Sequence, residues 1–184
     1  SDDETVDVSV RLDLLGLSAE LDDIAENFGQ ARVTYQKALL LANRANQLAS
    51  AKEFHRNLVA LDLTEGLMDF NECYKAPQKH GVSISELATG VRHKVEFVAR
   101  KGRLAEVGKY LDEKLFLVDD ESVSLDDRLT LLLRSGECAE SLHDLPKARV
   151  RYEKCLALAR SKKSAQFEEI CLTRLSNLNR TEKN

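Results

Sequence analysis

The sequence has no tryptophan, one methionine, two prolines and eight glycines in 184 residues, and aromatics make up only 5% of it. So few chain breakers exclude a loop-rich fold, and β-branched or aromatic runs at strand spacing are scarce as well. Charge of one sign is also missing: 27 Lys and Arg stand against 31 Asp and Glu, for a formal net charge of −4 and a pI near 5.7. A general nucleic-acid surface would need a basic excess, so nucleic acid is not an expected partner. No apolar run approaches the length of a membrane span. The opening residues, Ser1 to Asp7, carry neither the basic nor the apolar region of a secretory signal. Together these absences predict a soluble protein of the cytoplasm or nucleus. The chain does not open on methionine and reads as a fragment of a longer polypeptide.

The residues of site chemistry are present but unpatterned. Cys73, Cys138, Cys155 and Cys171 lie far apart with no C-x-x-C pair, which argues against zinc and against a disulfide scaffold and predicts buried free thiols. His55, His80, His93 and His143 follow no catalytic motif, and no glycine-rich phosphate loop occurs. No catalytic residue, metal or cofactor is expected.

What the chain does have is Leu, Ala, Glu, Lys and Arg, residues that lose little rotamer freedom in a helix. The expected fold class is all-α, with residues 1–184 as a single domain. A first helix is predicted from near Thr5, with Asp2, Asp3 and Glu4 at its positive end and Asn27 or Gly29 in the left-handed turn that follows. Helices are expected over 30–47 and 50–67, then a short or kinked one from Phe70 that Pro77 interrupts. Ser83 and Glu86 form a candidate capping box for the next, which runs to about Arg100. Further helices are predicted over 104–117, from Leu125 with Ser124 as its cap to about Leu142, from Pro146 to Arg160, and over 164–178.

A repeat organises these helices. Ala148-Arg149-Val150-Arg151-Tyr152-Glu153-Lys154-Cys155-Leu156-Ala157-Leu158-Ala159 matches Ala31-Arg32-Val33-Thr34-Tyr35-Gln36-Lys37-Ala38-Leu39-Leu40-Leu41-Ala42 at Ala, Arg, Val, Tyr, Lys, Leu, Leu and Ala. Weaker copies place Cys73 and Val107 at the position of Ala31 and Ala148, spaced by 42, 34 and 41 residues. Helix pairs with Ala and an aromatic four residues apart resemble the tetratricopeptide repeat family, whose period is about 34 residues. With Ala148 at the family's twentieth position, Gly136, Tyr152 and Cys155 fall on its eighth, twenty-fourth and twenty-seventh. With Ala31 there, Ala19, Tyr35 and Ala38 do so. The sequence departs from the family at Pro77, where repeat two should carry its aromatic, and at Lys114, where repeat three should carry a small residue. The resemblance implies a right-handed α-solenoid of about four antiparallel helix pairs (5–48, 49–82, 83–121 and 122–161) with a capping helix over 162–180. In physical terms, the small residues let helices approach closely and the aromatic fills the wedge between pairs.

The same resemblance implies a concave surface lined by the first helix of each pair. Its positions would be Asp13, Gly16, Glu20 and Asp23; His55, Leu58, Asp62 and Glu65; Thr89, Arg92, Glu96 and Ala99; and Thr130, Leu133, Glu137 and Glu140. Acidic residues dominate this set, and a groove of one sign favours a ligand of the other. The expected function is therefore a non-catalytic interaction scaffold or adaptor in complex assembly, taking a basic peptide or helical segment, with specificity at Glu137 and Glu140 and an apolar anchor beside Leu58 or Leu133. The alternatives are a structural part of a longer solenoid acting through its convex face and ends, and a regulatory domain of a larger protein. The Lys, Asn and Arg by which some family members grip the acidic tails of chaperones are absent from these positions.

Overall fold

The computed structural model describes residues 7–181, and these are all-helical, with no strand among them. The chain divides into two compact units, Ser1–Val82 and Ser83–Asn184. The sequence predicted a single domain; the division falls at the expected end of its second repeat.

The first unit holds α1 (Val8–Ile24), α2 (Phe28–Arg44), α3 (Leu48–Glu65), α4 (Phe70–Lys75) and α5 (Pro77–His80). Asp7 caps α1, its carboxylate accepting the Ser9 N–H at 3.1 Å; Asp2, Asp3 and Glu4 lie outside the described residues. The expected interruption at Pro77 is present, because α4 ends at Lys75 and Pro77 opens α5, where its missing N–H costs nothing. The core is formed by Leu12 and Ala19 from α1, Ala31, Tyr35, Ala38 and Ala42 from α2, and Ala51, Phe54 and Leu61 from α3. The pattern of the motif thus has a packing cause: Ala31, Ala38 and Ala42, two turns and then one turn apart on α2, let α1 and α3 pack closely against it.

The second unit holds α6 (Ile84–Arg100), α7 (Gly108–Lys114), α8 (Leu125–Ser141), α9 (Leu145–Ser161) and α10 (Ala165–Thr181). Ser83 and Glu86 form the full capping box, with the Ser83 N–H donating to Glu86 Oε2 at 2.7 Å and the Glu86 N–H donating to Ser83 Oγ at 3.2 Å. Ser124 caps α8 as expected. The single helix predicted over 104–117 is instead three pieces, with tighter 3-10 turns over Leu104–Val107 and Leu115–Asp119 flanking α7. Leu115, Leu117 and Val118 in the second of these turns are all buried. Lys114, marked by the sequence as a departure, is buried with its ammonium 5.9 Å from the Tyr110 ring centre.

The turns carry a regularity that no residue type announces. At the ends of α1, α2, α8 and α9 the N–H groups of Asn27, Gln47, Asp144 and Ser164 each donate to the carbonyl five residues back, those of Asp22, Ala42, Ala139 and Ala159, at 2.8 to 2.9 Å. This is the Schellman closure, and it requires a left-handed residue just before each donor. That residue is Glu26, Asn46, His143 or Lys163, with φ between 56° and 65°. The left-handed position was expected at Asn27 or Gly29; it is at Glu26, and Gly29 lies inside α2. Seventeen-residue helices plus three-residue turns give a 20-residue step in α1 and α2 and in α8 and α9, so a helix pair spans 40 residues instead of 34.

A non-glycine left-handed residue costs on the order of 1–2 kcal/mol, offset in part by the unfolded-state freedom that glycine adds. Lys163→Gly should therefore raise the unfolding free energy by about 0.5–1 kcal/mol in urea titration, whereas Lys163→Ala should not. Equal effects from the two would contradict the turn assignment.

All four cysteines are buried free thiols. Burial raises the Cys73 and Cys138 thiols above their ordinary value, which makes them packing residues of low reactivity.

Candidate functional site

Expected groove residues divide into those that the fold itself uses and those it leaves open. In the second unit most are used. Glu96 of α6 and Glu137 of α8 belong to a ladder of ion pairs that runs from α6 through α8 to α10. Arg92 Nε sits 2.6 Å from Asp127 Oδ1, and Arg92 Nη1 sits 4.0 Å from Glu96. Glu96 Oε1 lies 3.7 Å from Arg134 Nη2, Arg134 Nη1 lies 2.7 Å from Glu137 Oε2, and the other oxygen of Glu137 binds Arg174 of α10. Glu140 accepts a 2.8 Å hydrogen bond from the Tyr152 hydroxyl. Burial, then this bond to Glu140, raises the Tyr152 phenol above its ordinary value. Thr89, Thr130 and Leu133 are buried. Residues 134, 137, 140 and 174 do share a depression of about 420 Å³ with Ala99, Leu104 and Ser141. Its two carboxylates and two guanidiniums balance, so it has no excess of either sign to offer a ligand.

The first unit behaves differently. Asp62 and Glu65 of α3 are both held by Arg32 of α2, with Arg32 Nη2 2.9 Å from Asp62 Oδ1, and Leu58 is half-buried against the core. Asp13 and Glu20, however, line a cleft of about 420 Å³ between α1 and α3, together with Leu12, Gly16, Leu17, Ser50, Glu53, Phe54 and Asn57. Three carboxylates line it, and no lysine, arginine or histidine is among its lining residues. Phe54 forms part of its apolar wall: a Cβ at Gly16 would sit 3.4 Å from Cε1 of that ring, and the Tyr35 ring packs behind at 6.4 Å between centres. The field of these carboxylates is felt inside. Burial first, and then the charges of Asp23, Glu20 and Glu53, push the Tyr35 phenol above its ordinary value.

Two kinds of residue escape sequence reasoning. Glu53 is missed because the motif spacing from α2 to α4 is 42 residues, whereas α1 and α3 start 40 apart, at Val8 and Leu48; Ser50 and Asn57 line the cleft from positions that neither spacing marks. Counting 40 from Asp13 reaches Glu53, and that was the available signal. Arg32 and Arg174 are missed because they come from neighbouring helices, and Arg134 because it stands on α8 between the expected positions, three residues before Glu137. Among the described residues no group of three or more His, Cys, Asp and Glu is placed to hold a metal ion, and no helix is long and apolar enough to cross a membrane. Neither a protein-family model nor a curated protein matches the chain.

Proposed function

We propose that the protein is a non-catalytic interaction module of the cytoplasm or nucleus, built like a tetratricopeptide-type solenoid, which takes a basic segment of another protein in the cleft between α1 and α3. The observation that carries this reading is the contrast between the units. Glu96 and Glu137 of the second unit are neutralised by its own arginines, while Asp13, Glu20 and Glu53 meet in a cleft with no lining cation. Unneutralised charge against an apolar wall of Phe54 and Leu17 suits a ligand with Lys or Arg beside an apolar side chain, since the wall excludes water and strengthens the attraction.

The test is a fluorescence-anisotropy titration with a Gly-Ser peptide carrying interspersed Lys and Arg. Asp13→Lys with Glu20→Lys should abolish binding, and raising salt from about 0.05 to about 0.5 M should weaken it for the unaltered chain by screening. Glu113→Lys with Glu121→Lys changes net charge equally at exposed sites outside the cleft. Should this second pair weaken binding as much as the first, the attraction belongs to overall charge and the cleft has no role.

A further inference from the structure

Helix α1 buries one apolar stripe and exposes another. Leu12 and Ala19 are in the core, with Val8 and Leu15 packed beside them. On a different face Val10, Leu14, Leu17, Leu21 and Ile24 are each between 46% and 67% exposed. Single exposed leucines are ordinary. These five are spaced alternately by four and three residues, the pattern with which one helix receives another along its length. The stripe is also continuous with the acidic cleft, since Leu17 lines both. Asp13 and Glu20, one residue before Leu14 and Leu21, border it on the cleft side.

We propose that this outer face of α1 docks an amphipathic helix from a partner protein, one with an apolar stripe at the same four-three spacing and Lys or Arg along the flank that meets Asp13, Glu20 and Glu53. The inference rests on the cleft reading above and adds to it the partner's conformation and its apolar anchor. Charge selects the occupant. A second copy of α1 packed antiparallel would set the carboxylates of Asp13 and Glu20 against the same residues of its mate, and like charges across such a seam repel. Length points the same way: five positions cover about two heptads, fewer than the three or four that sustain a self-standing coiled coil. A partner helix that also engages three carboxylates gains what the short seam lacks.

The probe is a synthetic helical peptide with Leu at the stripe positions and Lys on one flank, titrated against the full chain. Its controls are a scrambled peptide of the same composition and the same helix with Glu on the flank. The Lys-flanked helix should bind about tenfold or more tightly than either control, and Leu14→Ser with Leu21→Ser should remove that advantage while leaving the circular dichroism of the chain unchanged. If the scrambled peptide binds as well and the serine variants have no effect, the docked helix is wrong while the cleft reading survives. If the Glu-flanked helix binds equally and Asp13→Asn with Glu20→Gln changes nothing, the basic partner and the cleft reading both fall. Absence of binding by every peptide overturns both. Finally, a dimer in sedimentation equilibrium that Leu14→Ser with Leu21→Ser dissociates would make a second copy the occupant.

Discussion

Tyr152→Ala should lower the unfolding free energy by about 3–5 kcal/mol, the range for truncating a fully buried aromatic. The ring is wholly buried in the second unit and lies directly on the backbone of α8. A Cβ built on Gly136 would fall 2.3 Å from a ring carbon, so glycine is the residue that lets α8 and α9 close on it. Nothing nearby can refill the space, since the flanking positions are Ala148 and Cys155, both already buried against neighbouring helices. A collapse that absorbed the cavity would require α9 to move bodily toward α8. The hydroxyl contributes separately through its 2.8 Å bond to Glu140, so Tyr152→Phe should cost only about 1 kcal/mol. Urea titration gives the two values, and amide exchange in α8, α9 and α10 localises the loss. If the Phe variant costs as much as the Ala variant, the bond to Glu140 and not the packing of the ring holds the pair together.

The same residue shows how much of the fold is legible beforehand. Ala31, Tyr35 and Ala38 and their counterparts Ala148, Tyr152 and Cys155 could be recognised as packing residues because close helix contact demands small side chains at fixed spacing, and spacing is visible in a sequence. Ser83, Glu86, Ser124 and Pro146 were legible because a cap acts within one turn of chain. Turn geometry was not, since the Schellman closure is made by backbone groups and tolerates Glu26, His143 or Lys163 at its left-handed position. The 3-10 turns flanking α7 were not legible in the helix expected over 104–117, since Leu104, Ala105 and Glu106 favour an α-helix as readily as the residues of α7 do. For the site, Asp13 and Glu20 were visible and Glu53 was not, and the neutralisation of the other carboxylates left no sign in the sequence. Arg32 reaches Asp62 across 30 residues, and Arg174 reaches Glu137 across 37. A face read from one helix at a time therefore overstates its free charge, and only Asp13 and Glu20 of the expected acidic set keep theirs in an open cleft together with Glu53.

Asp127→Ala should be the second most damaging change, at about 2–3 kcal/mol. Asp127 sits in the first turn of α8 and is buried, although its residue type is among those least often found inside. Its carboxylate is tolerated there because two hydroxyls donate to it and a guanidinium charge lies beside it. Ser124 Oγ donates at 2.7 Å, Thr89 Oγ1 lies 3.0 Å away on α6, and Arg92 Nε makes the 2.6 Å ion pair. Two of the expected groove residues, Thr89 and Arg92, are thus occupied in joining α6 to α8. Alanine would leave the Ser124 hydroxyl without its acceptor, the Thr89 hydroxyl with only the Ser85 carbonyl at 3.1 Å, and Arg92 with only the longer contacts to Asp126 at 3.8 Å and Glu96 at 4.0 Å. Breaking a buried pair can cost 3–5 kcal/mol, but the Arg92 side chain is 31% exposed, and water recovers part of that. Asp127→Asn separates the contributions, because it keeps an acceptor for the hydroxyls and removes the charge that Arg92 faces. An Asn variant close to the unaltered chain beside a strongly destabilised Ala variant would assign the anchor to hydrogen bonding. Equal losses would assign it to the ion pair, at the head of the ladder that continues through Glu96, Arg134 and Glu137. A change below about 0.5 kcal/mol for alanine, the scatter of ordinary surface substitutions, would show that the contact does not hold α6 on α8.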